Sequence, residues 1–93
     1  MEVKHIDPAA LATITTGFLM TDFDPVHEAC EWLMGHPIFT MSLPHMAERL
    51  KAAALAQYPD LPVEVDGDWQ QVRDEVRARF GETVVVTKGK GDA

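Results

Sequence analysis

The chain has 93 residues, of which 46% are hydrophobic and 25% are charged, and its formal net charge is −7. A chain of this length makes one domain, and its apolar content excludes disorder along its whole length. Fifteen acidic residues against eight basic ones argue against direct nucleic-acid binding, because that affinity comes from lysine and arginine displacing counterions.

The cysteine count and the hydropathy indicate the cellular compartment in which the protein folds. Cys30 is the only cysteine, so no internal disulfide can form, which is typical of a reducing compartment. No positively charged segment followed by an apolar core opens the chain, and no apolar run approaches the ~18 residues of a membrane span. We therefore predict a cytoplasmic protein with neither signal peptide nor membrane partner.

The first segment predicts a strand followed by a helix. Met1 to Ile6 mixes Val3 and Ile6 with polar residues and can form a short strand. Asp7 and Pro8 are typical of an N-cap and a first helical position, and Gly17 marks the end of that helix. The apolar stretch 18–20 indicates a buried connector or a brief strand.

A second helix is bounded by equally clear signals. Asp24 and Pro25 predict its start, and Gly35 followed by Pro37 predicts its end. Between them a helical spacing places four apolar residues on one face: Val26, Ala29, Cys30 and Leu33. Residues 36–41 have extended character, so we expect a short extended segment that crosses the core.

Two more helices and a strand follow. Ser42 is a reasonable N-cap for a helix that runs to Ala56 or Gln57, and prolines break the loop beyond it. Asp66 or Asp68 caps a last helix, 69–80, whose apolar stripe has near-ideal spacing. Its Glu75 and Arg79 are four apart, in the orientation that favours an ion pair.

Residues 83–87 carry the strongest strand signal in the chain. The partner expected for this strand is the N-terminal one, with residues 38–41 as an alternative third strand. The fold class is therefore α+β: three to four helices packed on a small two- or three-stranded sheet formed by the chain termini. We expect one compact domain over residues 1–93, with residues 88–93 as a frayed polar tail.

No set of residues spells out a reaction. His27 and Cys30 lie three apart on one helix, but zinc takes about four ligands, and His36 and His45 lie in unrelated local settings. Cys30 falls on the predicted core face, where burial disfavours the thiolate. We predict no catalytic residue, no metal and no cofactor, and an enzyme remains a remote alternative.

Candidates for contact with a partner are easier to name. Trp32 lies beside the apolar stripe, as a second-layer core residue or as an interface anchor of the kind enriched in hot spots. His36 either binds the end of the helix or joins Trp32 in a contact surface. The acids Glu28 and Glu31 face outward. A further group of acids lies in residues 60–68, a stretch without any basic residue. The full set of candidates is Glu28, Glu31, Trp32, His36, Asp60, Glu64, Asp66 and Asp68.

A set of spaced residues extends over most of the chain: Thr15-Thr16-Gly17, Phe23-Asp24, His27-Glu28, Glu31-Trp32, Gly35-His36-Pro37, Thr40, Pro59-x-Leu61-Pro62, Trp69 and Phe80-Gly81. Together they resemble a family of small proteins encoded by bacteriophages and integrated mobile elements. That family often continues His-Glu after the threonine, where this chain has Met41-Ser42. It has no firmly assigned activity, so the resemblance implies context: small acidic phage proteins often bind and block a host protein, including CRISPR effector complexes.

Our first hypothesis is a non-catalytic, anti-CRISPR-like protein of the host cytoplasm. It would inhibit or modulate a host nucleic-acid-handling protein with a basic surface, because complementary charge steers association. The alternative is a phage accessory or structural module that acts as a homo-oligomer, for example a homodimer that buries Trp32.

Overall fold

The computed structural model describes residues 2–90 and has the predicted α+β architecture, with four helices packed with a two-stranded sheet. Strands near the two ends of the chain form that sheet. The elements in chain order are β1 (Val3–Ile6), α1 (Pro8–Thr16), α2 (Phe23–Met34), a 3-10 turn (Thr40–Ser42), α3 (Leu43–Gln57), α4 (Trp69–Phe80) and β2 (Val84–Thr87).

Helix α1 lies at the centre of the molecule and contacts α2, α3 and α4. Its residues 9–12 are at most 1% exposed, and three of them are alanines, which let the neighbouring helices approach closely. The predicted boundaries are confirmed. The Asp7 carboxylate accepts a hydrogen bond from the Ala9 amide at 2.9 Å, and Gly17 closes the helix at φ 76°.

Helix α2 begins at Phe23 with Asp22 as its N-cap residue, so the predicted start at Asp24 and Pro25 is two residues late. The earlier start is possible because Pro25 still lies in the first turn, where amide groups have no intrahelical acceptor and a missing N–H costs nothing. Gly35 ends the helix as predicted, with φ 79° and its amide donating to the Glu31 carbonyl at 2.8 Å.

The alternative third strand does not form. Ile38 is buried, but Phe39 and Met41 are 84% and 86% exposed, and Thr40–Ser42 is a 3-10 turn. The reason is local: side chains of α2 bind both the N–H and the C=O of Ile38, so neither group is available to pair with a neighbouring strand. The stretch before it differs from expectation too, because Phe18 and Leu19 are about half exposed and only Met20 is buried.

The sheet pairs β1 with β2 antiparallel, in a register that runs from Val3 opposite Thr87 to Ile6 opposite Val84. Val84 and Val86 face the core, whereas Val85 is 44% exposed. The outer edge of β2 is covered by side chains at the end of α3. Gln57 exchanges two hydrogen bonds with the Thr87 backbone, and the Tyr58 hydroxyl donates to the Val85 carbonyl.

The last two helices differ from prediction only in detail. Asp68, rather than Asp66, caps α4 by accepting from the Gln70 amide at 2.9 Å. Val76 is the buried residue of its stripe, and Trp69, Val72 and Phe80 pack beside the core. Arg79 pairs with Asp60 at 3.1 Å instead of with Glu75.

The start of the predicted tail, Lys88 and Gly89, is bound to the rest of the fold. The Lys88 amide donates to the Glu2 carbonyl, and the Gly89 amide donates to the Trp32 carbonyl, both at 2.9 Å. A Cβ on Gly89 would lie 2.0 Å from the Leu33 carbonyl oxygen, so this segment lies directly against α2. The end of the predicted tail, 91–93, lies outside the described residues. Over 2–90, no helix has both the length and the apolar character needed to cross a membrane.

Candidate interaction surfaces

The structure brings the first four partner candidates together. Helical spacing places Glu28, Glu31 and Trp32 on one side of α2, and the turn at Gly35 returns His36 to them. They line a cleft of about 270 Å³, called here the Trp32 cleft, together with Gly35, Pro37 and two lysines from near the ends of the chain, Lys4 and Lys88.

Trp32 is half-buried and links α2 to the sheet. Its indole N–H donates to the Val86 carbonyl at 2.8 Å. The ammonium groups of Lys4 and Lys88 lie 5.7 and 5.5 Å from the ring centroid, within the range of cation–π attraction. The polar atom of the indole is therefore satisfied inside the chain, and two lysines cover its ring.

These lysines change the charge expected for the cleft. Lys4 lies 3.8 Å from a Glu28 carboxylate oxygen, and Lys88 lies 3.2 Å from Glu2. Exposed pairs of this kind are worth at most about 1 kcal/mol, but they balance the local acids. The Trp32 cleft has mixed charge, because Lys4 and Lys88 lie beside the two acids that the sequence marked as candidate contacts.

Glu31 and His27 hold the loop that follows α2. The Ile38 amide donates to a Glu31 carboxylate oxygen at 2.8 Å, and His27 Nε2 lies 2.7 Å from the Ile38 carbonyl oxygen, to which it donates as N–H. The two side chains lie one helical turn apart with 3.8 Å between their polar atoms. We call this arrangement the Ile38 clamp. Phe23 stacks on the outer face of the His27 ring with centroids 5.9 Å apart.

His36 does not bind the end of α2 through the contacts that the structure shows. Its Nδ1 lies 2.9 Å from the carbonyl oxygen of its neighbour Pro37. Within residues 2–90, its Nε2 is buried without a hydrogen-bond partner. His45 is exposed on α3 and is not part of the Trp32 cleft.

The other four candidates lie on or beside the loop between α3 and α4. Asp60 binds Arg79, and Asp68 caps α4, so both carboxylates already make hydrogen bonds within the fold. Glu64 and Asp66 are exposed, and over the part of the chain that the structure describes neither has an ion-pair or hydrogen-bond partner. No lysine or arginine occurs between positions 52 and 72, so this loop is the more strongly acidic of the two regions.

Sequence reasoning missed the most exposed apolar residues, Phe39 and Met41. A run of apolar residues behind a proline is typical of a buried segment, and nothing in Ile38-Phe39-Thr40-Met41 shows that only its first member is inside. The available signal was a different one: from Trp32 to Ala47 the chain has no aspartate, glutamate, lysine or arginine. Such a stretch belongs either to a core or to an interface.

An apolar groove lies between α1, α2 and the start of α3. Its volume is about 230 Å³, and none of its lining residues carries a formal charge: Thr13, Ile14, Gly17, Val26, Cys30, Leu43, Pro44, Ala47 and Leu50. We call it the apolar groove. Cys30 reaches it from the core, where desolvation, and to a lesser extent the charge of Glu31, raises the pKa of the thiol to about 11.

No three histidine, cysteine or acidic side chains among residues 2–90 come together as ligands for a metal ion. What the fold and these surfaces define is a small α+β protein with an acidic loop, a mixed-charge cleft and an apolar groove. The chain belongs to the family described as a domain of unknown function, DUF7736, whose model matches residues 7–64. No curated protein and no solved structure matches it significantly.

The family model covers two of these surfaces completely and the others in part. The apolar groove and Ile38 clamp lie wholly within residues 7–64. The Trp32 cleft also uses Lys4 and Lys88, which lie outside that range, and Asp66 lies outside it as well.

Proposed function

We propose that this chain is a small, non-catalytic interaction protein that binds a basic surface of a host nucleic-acid-handling protein and thereby inhibits or modulates it. The observation that supports this proposal most directly is that Glu64 and Asp66 are exposed acids without an internal partner in residues 2–90. A carboxylate without an internal partner remains available to a basic partner at no cost to the fold.

The narrower part of the proposal concerns the host. The resemblance to small phage and mobile-element proteins favours a target in host defence, such as a CRISPR effector complex. Those complexes carry nucleic acid in positively charged channels, which an acidic loop would complement. This part rests on the resemblance and on the net charge of −7.

The experiment reverses charge at Glu64 and Asp66 and measures binding to a purified Cascade-type effector complex, together with inhibition of its binding to target DNA. Glu64→Lys with Asp66→Lys should weaken binding by about tenfold or more at low salt, since both contacts become repulsive. Asp60 and Asp68 are left intact because they bind Arg79 and cap α4.

The matched control is Glu48→Lys with Glu82→Lys, which changes the net charge equally at two exposed acids elsewhere. Binding by the control should stay close to that of the original chain and should fall with added salt in the same way. If both double variants lose affinity equally, only the net charge matters. If neither loses any, the acidic loop is not the binding surface.

A further inference from the structure

The two edges of the small sheet differ in their hydrogen bonding. In an antiparallel pair, residues that bond across the ladder alternate with residues whose N–H and C=O point away from it. The Lys88 amide donates to the Glu2 carbonyl, and these two residues continue the register of the sheet, so they fix the alternation. Val3 and His5, together with the residues opposite them on β2, therefore direct their N–H and C=O groups outward.

The outward groups of β2 are covered, and those of β1 are not. At the end of α3, Gln57 binds both the N–H and the C=O of Thr87, and the Tyr58 hydroxyl donates to the Val85 carbonyl at 2.6 Å. Over residues 2–90, no hydrogen bond reaches the outward N–H and C=O groups of the two β1 residues, which are both exposed. Strand β1 thus presents an open edge of the kind that proteins normally cover.

A small groove lies beside this open edge, between β1 and α2. Its volume is about 90 Å³, and it is lined by residues 4–7 and by Pro25, Glu28 and Ala29 of α2. We call it the edge groove. Lys4 and Glu28 also line the Trp32 cleft, so the two spaces adjoin along α2.

We propose that the edge of β1 binds an extended peptide segment of a partner protein, which adds to the sheet as a third, antiparallel strand. An extended main chain is the chemistry that supplies donors and acceptors at the spacing of Val3 and His5, so hydrogen bonding selects the occupant. In antiparallel pairing, three consecutive peptide residues satisfy both N–H and both C=O groups. This edge is separate from the acidic loop.

The two spaces beside the edge set the side chains that the peptide carries. Its middle residue lies opposite Lys4 and points to the same face, toward α2, where the edge groove of about 90 Å³ admits a small side chain such as that of alanine or serine. Two positions further along the peptide, the residue opposite Glu2 lies beside Lys88 and the Trp32 cleft of about 270 Å³. An apolar cavity of about 150 Å³ already holds benzene, so a large side chain fits there.

Charge favours a different protein over a second copy of this chain. Lys4 pairs with Glu28, and Lys88 pairs with Glu2, so the charges beside the edge are balanced. Two copies that satisfy both Val3 and His5 around a two-fold axis would place one Lys4 opposite the other, which is unfavourable between paired strands. They would also bring together two chains of net charge −7.

Selection from a displayed pool of random linear peptides, followed by an NMR titration of the strongest binder, tests the proposal. The selected peptides should share a small residue followed two positions later by a large one. Binding should shift the amide signals of Val3 and His5 most strongly. Hydrogen exchange at these two amides should slow by about tenfold or more, because each gains an acceptor in the added strand.

Proline substitutions separate the backbone from the side chains. Val3→Pro and His5→Pro each remove an outward N–H and leave the hydrogen bonds to β2 in place, as proline on an edge strand does. Each should weaken binding of the selected peptide by about tenfold or more. The matched controls, Val3→Ala and His5→Ala, keep the N–H and should change the affinity by about twofold at most.

Circular dichroism and thermal melts identify a proline variant that fails to fold, and the hydrogen exchange of the original chain then decides. A pool that yields no binder overturns the proposal. So does a peptide that shifts only signals of the acidic loop or of the apolar groove, or one that binds the proline and alanine variants equally. Slow exchange at Val3 and His5 that rises with protein concentration, in the absence of peptide, would assign the edge to a second copy and overturn the proposal as well.

Discussion

At the scale of single residues, most of the side chains that the sequence marks as partner contacts already have a partner inside the molecule. Trp32 donates to Val86, Glu31 binds the Ile38 amide, and Asp68 caps α4. Residue type alone cannot separate these uses, since a tryptophan or a glutamate suits an interface and an internal bond equally well. Glu64 and Asp66 remain the candidates that are both exposed and unpaired over residues 2–90.

Cys30 gives a prediction about pH. Its pKa is raised from 9.0 to about 11 by burial, with a smaller contribution from Glu31, so the folded state favours the neutral thiol. Below the unfolded pKa the thiol is protonated in both states. As pH rises from about 9 to 11, the unfolded state alone ionises, and the free energy of unfolding should fall by an amount on the order of 2 kcal/mol.

Urea unfolding at pH 7, 9 and 10.5 measures this effect, and Cys30→Ala is the control that should lack this part of the slope. A thiol reagent at pH 8 should modify the folded chain far more slowly than the urea-unfolded chain. Equal labelling rates in the two states would contradict the burial of this thiol.

At the scale of elements, the loop after α2 shows how two side chains replace a strand. The Ile38 clamp supplies one donor and one acceptor to a single residue, as a neighbouring strand would. Gln57 does the same for Thr87 at the outer edge of β2. Helices in this fold thus complete hydrogen bonding that a larger sheet would otherwise provide, which is why two strands suffice.

Removal of one half of the Ile38 clamp should loosen the loop without unfolding the molecule. Glu31→Ala leaves the Ile38 amide without its acceptor, and we expect a loss of about 1–2 kcal/mol in the free energy of unfolding. Hydrogen exchange at the Ile38 amide should accelerate more than exchange in α1. Glu28→Ala is the control, because its carboxylate is exposed and makes only a long contact with Lys4 at 3.8 Å. Equal effects of both changes would rule out a structural role for the clamp.

At the scale of the whole molecule, the central helix is α1, and one carboxylate joins it to the distant part of the chain. Asp7 caps α1 and also accepts from Arg77 on α4, with 2.7 Å between Arg77 Nη2 and Asp7 Oδ2. The hydrogen bond to Asp7 is the main reason that the pKa of Arg77 is raised. Asp7 lies at the first matched position of the family model, and Arg77 lies beyond its end at residue 64.

The two roles of Asp7 can be separated by substitution. Asp7→Ala removes the cap and the ion pair, and should cost about 2 kcal/mol in the free energy of unfolding. Asp7→Asn keeps the capping oxygen but puts an NH2 group in place of Oδ2, so it loses both the charge and the hydrogen bond from Arg77 Nη2. It should cost about 1 kcal/mol, less than Asp7→Ala, because the pair with Arg77 is partly exposed. Urea unfolding measures both. Asp74→Ala, at an exposed acid of α4 that pairs with its neighbour Arg73, should change stability by less than about 0.5 kcal/mol.

The elements bounded by local chemistry could be predicted from the sequence, and those that depend on distant contacts could not. Asp7 with Pro8, Gly17 and Gly35 marked helix boundaries. The valine run predicted β2, and the N-terminal strand was its expected partner. The start of α2 was missed because its N-cap residue, Asp22, makes no side-chain capping bond, whereas Asp24 with Pro25 carries the usual signal of a start two residues later. The exposure of Phe39 was missed because it follows from the Ile38 clamp, a contact made across eleven residues. The same limit applied to the Trp32 cleft, whose lysines come from opposite ends of the chain.

The pairing of β1 with β2 sets the order in which the protein can fold while it is being synthesised. Val3–Ile6 leaves the ribosome well before Val84–Thr87, the strand that it pairs with. Helices α1 to α3 can begin to pack in the interval, since the contacts among them are closer in sequence. The sheet therefore closes after these helices have been made, and until then the nascent chain carries an unpaired strand ahead of α1.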